Sequence, residues 1–216
     1  MAEKKKPMKT LVVDFYLPHL RDGIIKLHEE RIIDINYWLV DEEGKYASEN
    51  VMHKSSFGIL HQEYLQGSRF EIADEIYEYG YKYLYPFMNI DNRWKISTET
   101  CTYVHDFNML FQIWHHIIKS YQIELLLMGN APHGPVPFMA YVVANALGIK
   151  IIITEQAWYA KERFLCFHSL ERIGCDYLDR DLGVGDVTPE MRGGFRQTPF
   201  YMKNISFWSV SYFSNN

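Results

Sequence analysis

The sequence predicts an α/β fold, a Rossmann-like parallel sheet flanked by helices and gathered into a single domain. Two passages carry that expectation. Residues 123–155 read as strand, loop, helix, strand, and residues 10–40 read as strand, helix, strand, the opening rhythm of a doubly wound sheet. Pro18 ends the first strand of the second passage, and the first is punctuated at both ends of its helix by proline and by Gly148.

In chain order, residues 10–16 (TLVVDFY) predict the first strand, entered from a polar tail and ended before Pro18. Residues 19–30 carry Leu20, Ile24 and Leu27 at a three-to-four spacing, which is one face of an amphipathic helix. Residues 33–40 (IDINYWLV) give the second strand and residues 41–45 (DEEGK) its turn. Residues 58–65 and 72–85 both suit helices. The second also carries tyrosines at 77, 79, 81, 83 and 85, an alternation that fits a strand equally well. Residues 102–122 form a firmer helix, with Phe107, Leu110, Phe111, Trp114, Ile117 and Ile118 on one stripe.

That helix leads into the most informative unit. Leu125 to Met128 are apolar without alternation, the pattern of a strand covered on both faces in a parallel sheet. Asn130 and then Pro132, Pro135 and Pro137 end it. Either of the last two prolines can open the next helix, where a missing N–H costs nothing, and Gly148 falls just past its end as a C-terminal cap. Residues 149–155 supply the following strand, and a further helical stretch is expected around residues 165–173. Beyond Gly174 the chain turns rich in Gly, Asp and Pro, which reads as an extended region or linker before an aromatic segment at 205–213.

Composition narrows the function. Apolar residues at 48 % and charged residues at 23 % describe an ordinary globular protein. A formal charge of −5 leaves no electrostatic footprint for nucleic acid, and the basic run from Lys4 to Lys9 lies in the terminal tail. Aromatics at 16 % suit a sugar- or protein-binding surface, though bulky core filling is the commoner explanation. Three widely spaced cysteines, Cys101, Cys166 and Cys175, indicate neither a disulfide framework nor a zinc site, and no metal or other cofactor is expected. No window is apolar enough to span a bilayer, so a cytoplasmic protein is expected, at most peripheral to the inner membrane.

Motifs exclude more than they assign. There is no GxGxxG after the first strand and no GxxxxGK[ST], so the glycines that let a backbone approach a pyrophosphate are missing. Nor is there a GxSxG elbow. His115 and His116 are neighbours on a helix, point in different directions and suit exposed or capping roles rather than a metal site. His105 and Asp106 read as the N-terminal cap of that helix, Asp106 being the better acceptor.

His133 stands apart from these. It lies in a proline-braced loop between a strand and a helix N-terminus, where open sheets bind ligands, and is placed to act as a base or a hydrogen-bonding group. The structural alternative, a loop histidine bonded to a neighbouring backbone group, weighs about as much. Glu155, at the carboxyl end of the next strand, faces the same edge if the sheet is parallel. It can orient a histidine, bind sugar hydroxyls, or simply pair with Lys161 or Arg163. Asn130, Arg163, Glu171 and Arg172 complete the candidate substrate-binding set, although taken singly each of the last three is more often a surface residue.

The passage GNAPHGPVPFMAYVVANALGIKIIITEQAWYAKERFLCFHSLERIG resembles the N-terminal half of bacterial capsule and surface-polysaccharide biosynthesis proteins. Those proteins look like GT-B-type glycosyltransferases built from two Rossmann-like domains. The likeness rests on Pro132 and His133 in the short loop, the helix from Pro137 to Leu147, and Gly148, Ile149 and Lys150. It implies an acceptor-side domain that contacts a sugar acceptor and a C-terminal domain that would hold the nucleotide-sugar donor; in such an enzyme His133 is expected as base or hydrogen-bonding group toward the acceptor hydroxyl, with Glu155 orienting it or binding sugar.

The expected organisation is a flexible basic tail at 1–9, a Rossmann-like domain at 10–175 and an extension at 176–216. The last is too short for a second domain, which usually needs about 100 residues, so the chain reads as an N-terminal half with the donor domain outside it. Two other classes stay open: a non-catalytic module binding a glycan or a protein, and a small stand-alone transferase or hydrolase acting on a nucleotide sugar.

Overall fold

The computed structural model describes residues 6–15, 18–39, 54–55, 62, 65, 70–92, 99–156 and 164–172. Its centre is a six-stranded sheet. The strands are β1 (Met8–Val13), β2 (Ile33–Leu39), β3 (Lys54–Ser55), β4 (Leu125–Met128), β5 (Lys150–Gln156) and β6 (Phe164–Phe167). They lie in the order β3-β2-β1-β4-β5-β6. The first five are parallel neighbours, and β6 runs antiparallel against β5. The fold is therefore α/β with a mostly parallel sheet.

Alternation along the strands builds a core on each face. Leu11 and Val13 of β1, Leu126 and Met128 of β4, and Ile151 and Ile153 of β5 share one apolar cluster. The intervening Val12, Leu125, Leu127 and Ile152 belong to the other, packed with Ile24 of helix α1 (Pro18–Glu29). The larger cluster is covered by α3 (Leu84–Asp91), α4 (Thr100–Ser120) and α5 (Pro135–Ala146). Helices thus flank both faces, because each strand between them presents apolar side chains to either side.

The stripe expected on the long helix is the buried face of α4, where Phe107, Phe111 and Trp114 have no exposed surface. α4 begins at Thr100, so His105 and Asp106 sit inside it rather than at its cap; Glu99 occupies that position without a side-chain cap bond. The tyrosine-rich stretch forms two helices, α2 (Asp74–Tyr81) and α3, joined by a turn at Lys82 and Tyr83, and no strand. Helical period divides its tyrosines between two neighbours. Tyr77 stacks on Phe111 and Tyr81 on Phe107, while Tyr79 and Tyr83 turn toward Asn145 of α5. Gly80 permits this packing, since a Cβ there would lie 2.2 Å from the Phe111 ring.

The helix expected at 165–173 is instead β6 followed by one 3-10 turn, Leu170–Arg172. Ile153, Thr154, Glu155 and Gln156 pair with Phe167, Cys166, Leu165 and Phe164 in turn, so the unpaired N–H and C=O groups of the β5 edge win over a short, isolated helix. The stretch at 58–65, apart from residues 62 and 65, and everything expected beyond Gly174 lie outside the described residues. Among the described residues, no helix is long and apolar enough to cross a membrane.

Candidate functional site

Strand order reverses between β1 and β4. The chain leaves β1 toward α1 on one face and leaves β4 toward α5 on the other, so the two exits part and open a crevice at the strands' carboxyl ends. Their backbones are in close contact at its base. The Gly129 N–H donates to Val13 O at 2.9 Å. A Cβ at Gly129 would lie 2.1 Å from the Asp14 carbonyl oxygen, so no larger residue fits without moving backbone. Asp14 answers this approach with a left-handed φ of 61°, a conformation Asp tolerates better than most residues.

The β4–α5 loop is then tied to β5. The Ala131 N–H donates to Glu155 Oε2 at 2.9 Å, and Thr154 Oγ1 donates to Met128 O at 3.1 Å. Register explains the reach: Met128 pairs with Ile153, so Glu155 projects past the end of β4 into its loop. Trp114 Nε1 donates to Val136 O at 2.9 Å and fastens the first turn of α5 to α4. Within this braced loop Pro132 is buried, Asn130 half-buried and His133 exposed. Asn130 Oδ1 is sealed from solvent and accepts no hydrogen bond from the described residues. An acceptor left in that state costs roughly 1–3 kcal/mol.

The sequence-predicted residues therefore divide. Asn130, His133 and Glu155 meet at one edge, with the Ala131–Glu155 bond joining the loop of the first two to the strand of the third. Glu171 is elsewhere. Because β6 runs back along β5, the turn that follows it lies over α5, and Glu171 accepts from Tyr83 (3.2 Å) through Oε1 and Tyr141 (3.0 Å) through Oε2. Tyr141 also accepts the Leu170 N–H at 3.2 Å. Burial, with Glu171 and the other tyrosines adding to it, pushes the Tyr83 and Tyr141 hydroxyls well above the usual phenol range. Arg163 lies outside the described residues, as does the side chain of Arg172.

His115 corrects a further expectation. It is 1 % exposed rather than solvent-facing, and its Nδ1 has no hydrogen-bond partner among the described residues. Burial, helped by the nearby Lys119 and His116, lowers its pKa to about 4. Only the packing around α4 reveals this, because nothing in a His-His pair announces which ring is covered.

Asp14 and Gly129 were missed by reading the sequence for chemistry. The signal available was Gly129 itself, a glycine at the end of an apolar strand, where close backbone approach is a standing reason for the residue. A cavity of about 410 Å³ lies at the opposite edge of the sheet, between Lys119, Gln122, Glu124 and Ile149. It adjoins the amino ends of β4 and β5, away from the convergent loop. Among the described residues no group of three or more His, Cys, Asp or Glu side chains could hold a metal ion. Comparisons with protein-family models, with curated proteins and with solved structures return no match.

Proposed function

We propose that this chain is a Rossmann-like acceptor-side domain of a glycosyltransferase of surface-polysaccharide assembly, with His133 as the base toward an acceptor hydroxyl. The observation that carries the reading is the Ala131–Glu155 bond, which holds the His133 loop and a carboxylate together at the reversal of strand order. His133 is exposed, as a group that must receive a substrate proton has to be. Glu155, tied to the same loop through the Ala131 N–H, is assigned the role of accepting a sugar hydroxyl. The nucleotide-sugar donor is assigned to a separate domain, because the β1–α1 connection lacks the glycines that cradle a pyrophosphate.

In the proposed reaction the acceptor oxygen attacks the anomeric carbon of the donor, the bond to the nucleoside diphosphate breaks, and His133 takes the hydroxyl proton. General-base help of this kind is worth about 10² to 10⁴ in rate. The test is transfer from a panel of nucleotide sugars to oligosaccharide acceptors by the full-length product of the open reading frame. His133→Ala should cut transfer at least 100-fold while leaving the fold intact, and unchanged transfer would refute the assignment.

A further inference from the structure

The end of β5 that carries Glu155 runs past its neighbour on one side and is paired on the other. The ladder between β4 and β5 ends at Met128 and Ile153, so Thr154, Glu155 and Gln156 project beyond it. Their ladder partners are Cys166, Leu165 and Phe164 of β6. Cross-strand neighbours share a face of the sheet, which puts Glu155 and Leu165 on the same side as Ile153 and Phe167, the side covered by α5. Among the described residues, the backbone of Glu155 is placed by β6.

β6 has little to hold it within its own four residues. Phe167 is buried, at 3 % exposure, but Leu165 is half-buried and Cys166 exposed. Short segments with few buried contacts are the first to open in a native domain. The rest of the grip lies just past the strand. The His168 Nδ1–H donates to Ile151 O at 3.2 Å, since a carbonyl can only accept. The Leu170 N–H donates to the Tyr141 hydroxyl at 3.2 Å, and Glu171 accepts from Tyr83 at 3.2 Å and from Tyr141 at 3.0 Å. Tyr141 has no exposed surface and belongs to α5, the helix whose leading loop supplies the Ala131 N–H. The contacts close a circuit: from α5 through Glu171 to β6, across the ladder to Glu155, and through Ala131 back to the start of α5.

We propose that Glu171 is a positioning residue for the crevice. By clamping the turn after β6 onto Tyr83 and Tyr141 it holds β6 against the projecting end of β5, and so keeps the Glu155 carboxylate on the Ala131 N–H. The bearing of this clamp on acceptor binding rests on the reading above; the clamp itself rests on the circuit of contacts alone.

The Ala131 amide resonance in proton–nitrogen correlation spectra of the full chain tests it, because that shift reports the bond to Glu155 in the folded state and is not a measure of global stability. Glu155→Ala removes the acceptor and fixes where the resonance falls without it. Glu171→Ala should carry the signal at least half of the way to that position, and Tyr141→Phe a smaller part of the way in the same direction. Glu171→Gln, which offers an oxygen to one phenol and an N–H to the other, should restore most of the wild-type position. Ile24→Ala weakens the apolar cluster on the opposite face of the sheet and should leave the signal in place, although it too lowers stability. A signal unmoved by Glu171→Ala, moved as far by Ile24→Ala, or not restored by Glu171→Gln would overturn the proposal. Should Glu171→Ala fail to fold, an unmoved signal in Tyr141→Phe overturns it instead. Transfer that does not depend on His133, with the Ala131 shifts as expected, would refute the acceptor-side reading and support this inference.

Discussion

Two carboxylates, Glu155 and Glu171, occupy half-buried positions about the same strand pair and are used in opposite ways. Glu171 accepts from two phenols, one on each oxygen, inside a network in which Tyr79, Tyr83 and Asn145 bond one another and Tyr141 also accepts the Leu170 N–H. Glu155 accepts one backbone N–H from the loop that also carries Asn130, whose amide oxygen has no partner among the described residues, and the exposed His133. A polar cluster whose capacity is closed on itself holds structure together, whereas one that is braced yet incomplete has room for a ligand. The contrast assigns Glu171 to the packing of the β6 turn onto α5 and Glu155 to the crevice.

The largest expected effect tests the base of the crevice itself. Gly129→Ala places a methyl group 2.1 Å from the Asp14 carbonyl, and backbone must move to relieve it. A loss of about 3 kcal/mol or more in urea unfolding is expected, and a loss under 1 kcal/mol would mean that the two strand ends are not pinned together. Next comes the closed cluster: Glu171→Ala removes the acceptor of the half-buried Tyr83 hydroxyl and the buried Tyr141 hydroxyl, so stability should fall by roughly 2–3 kcal/mol. Tyr141→Phe, which removes one of those bonds, should cost about 1 kcal/mol.

His115 supplies a pH test of the same helical layer. Its folded pKa of about 4 lies below the ordinary 6.5, so between these values the unfolded chain binds a proton that the folded chain refuses. Stability should therefore be full above pH 6.5, decline as pH falls toward 4 and level off below. The contribution is on the order of 3 kcal/mol. His115→Phe should flatten that part of the pH–stability curve, and an unchanged slope would show that the ring is not the source.

At the open cluster the expected effects on stability are small. Glu155→Ala removes one hydrogen bond near solvent and should cost about 1 kcal/mol or less. His133→Ala, at an exposed position, should stay within about 0.5 kcal/mol of the wild type. If Glu155→Ala proved as destabilising as Glu171→Ala, the division between a closed and an open cluster would fail.

Much of this was legible in the chain. The uniform apolar run from Leu125 to Met128 announced a strand buried on both faces, the prolines after it announced the start of α5, and Gly148 announced its end. Gly148 adopts φ 66°, and the Ile149 N–H closes back on Ala144 O. Two other helices end in the same way on Arg31 and Gln122, at φ 58° and 53°. Neither residue type signals a left-handed cap, so those ends left no mark a reader could use. That His133, Glu155 and Asn130 lie at one edge was legible because a parallel βαβ unit brings one strand end and the next together. Glu171 misled for the same reason in reverse: a helix was expected after β5, while the chain folded back as a strand and carried the carboxylate over α5.

What the sequence by itself determined is local: which runs are apolar on one side or both, where proline and glycine stop them, and that the pyrophosphate-binding glycines are missing. Those properties follow from steric and solvation preferences within a few residues. Strand order, the antiparallel return of β6, the burial of His115 and the pairing of Ala131 with Glu155 were decided only by tertiary structure. Each depends on which surfaces meet after the chain has folded. An N–H or a carboxylate finds its partner by position in space, and adjacency in sequence does not encode that.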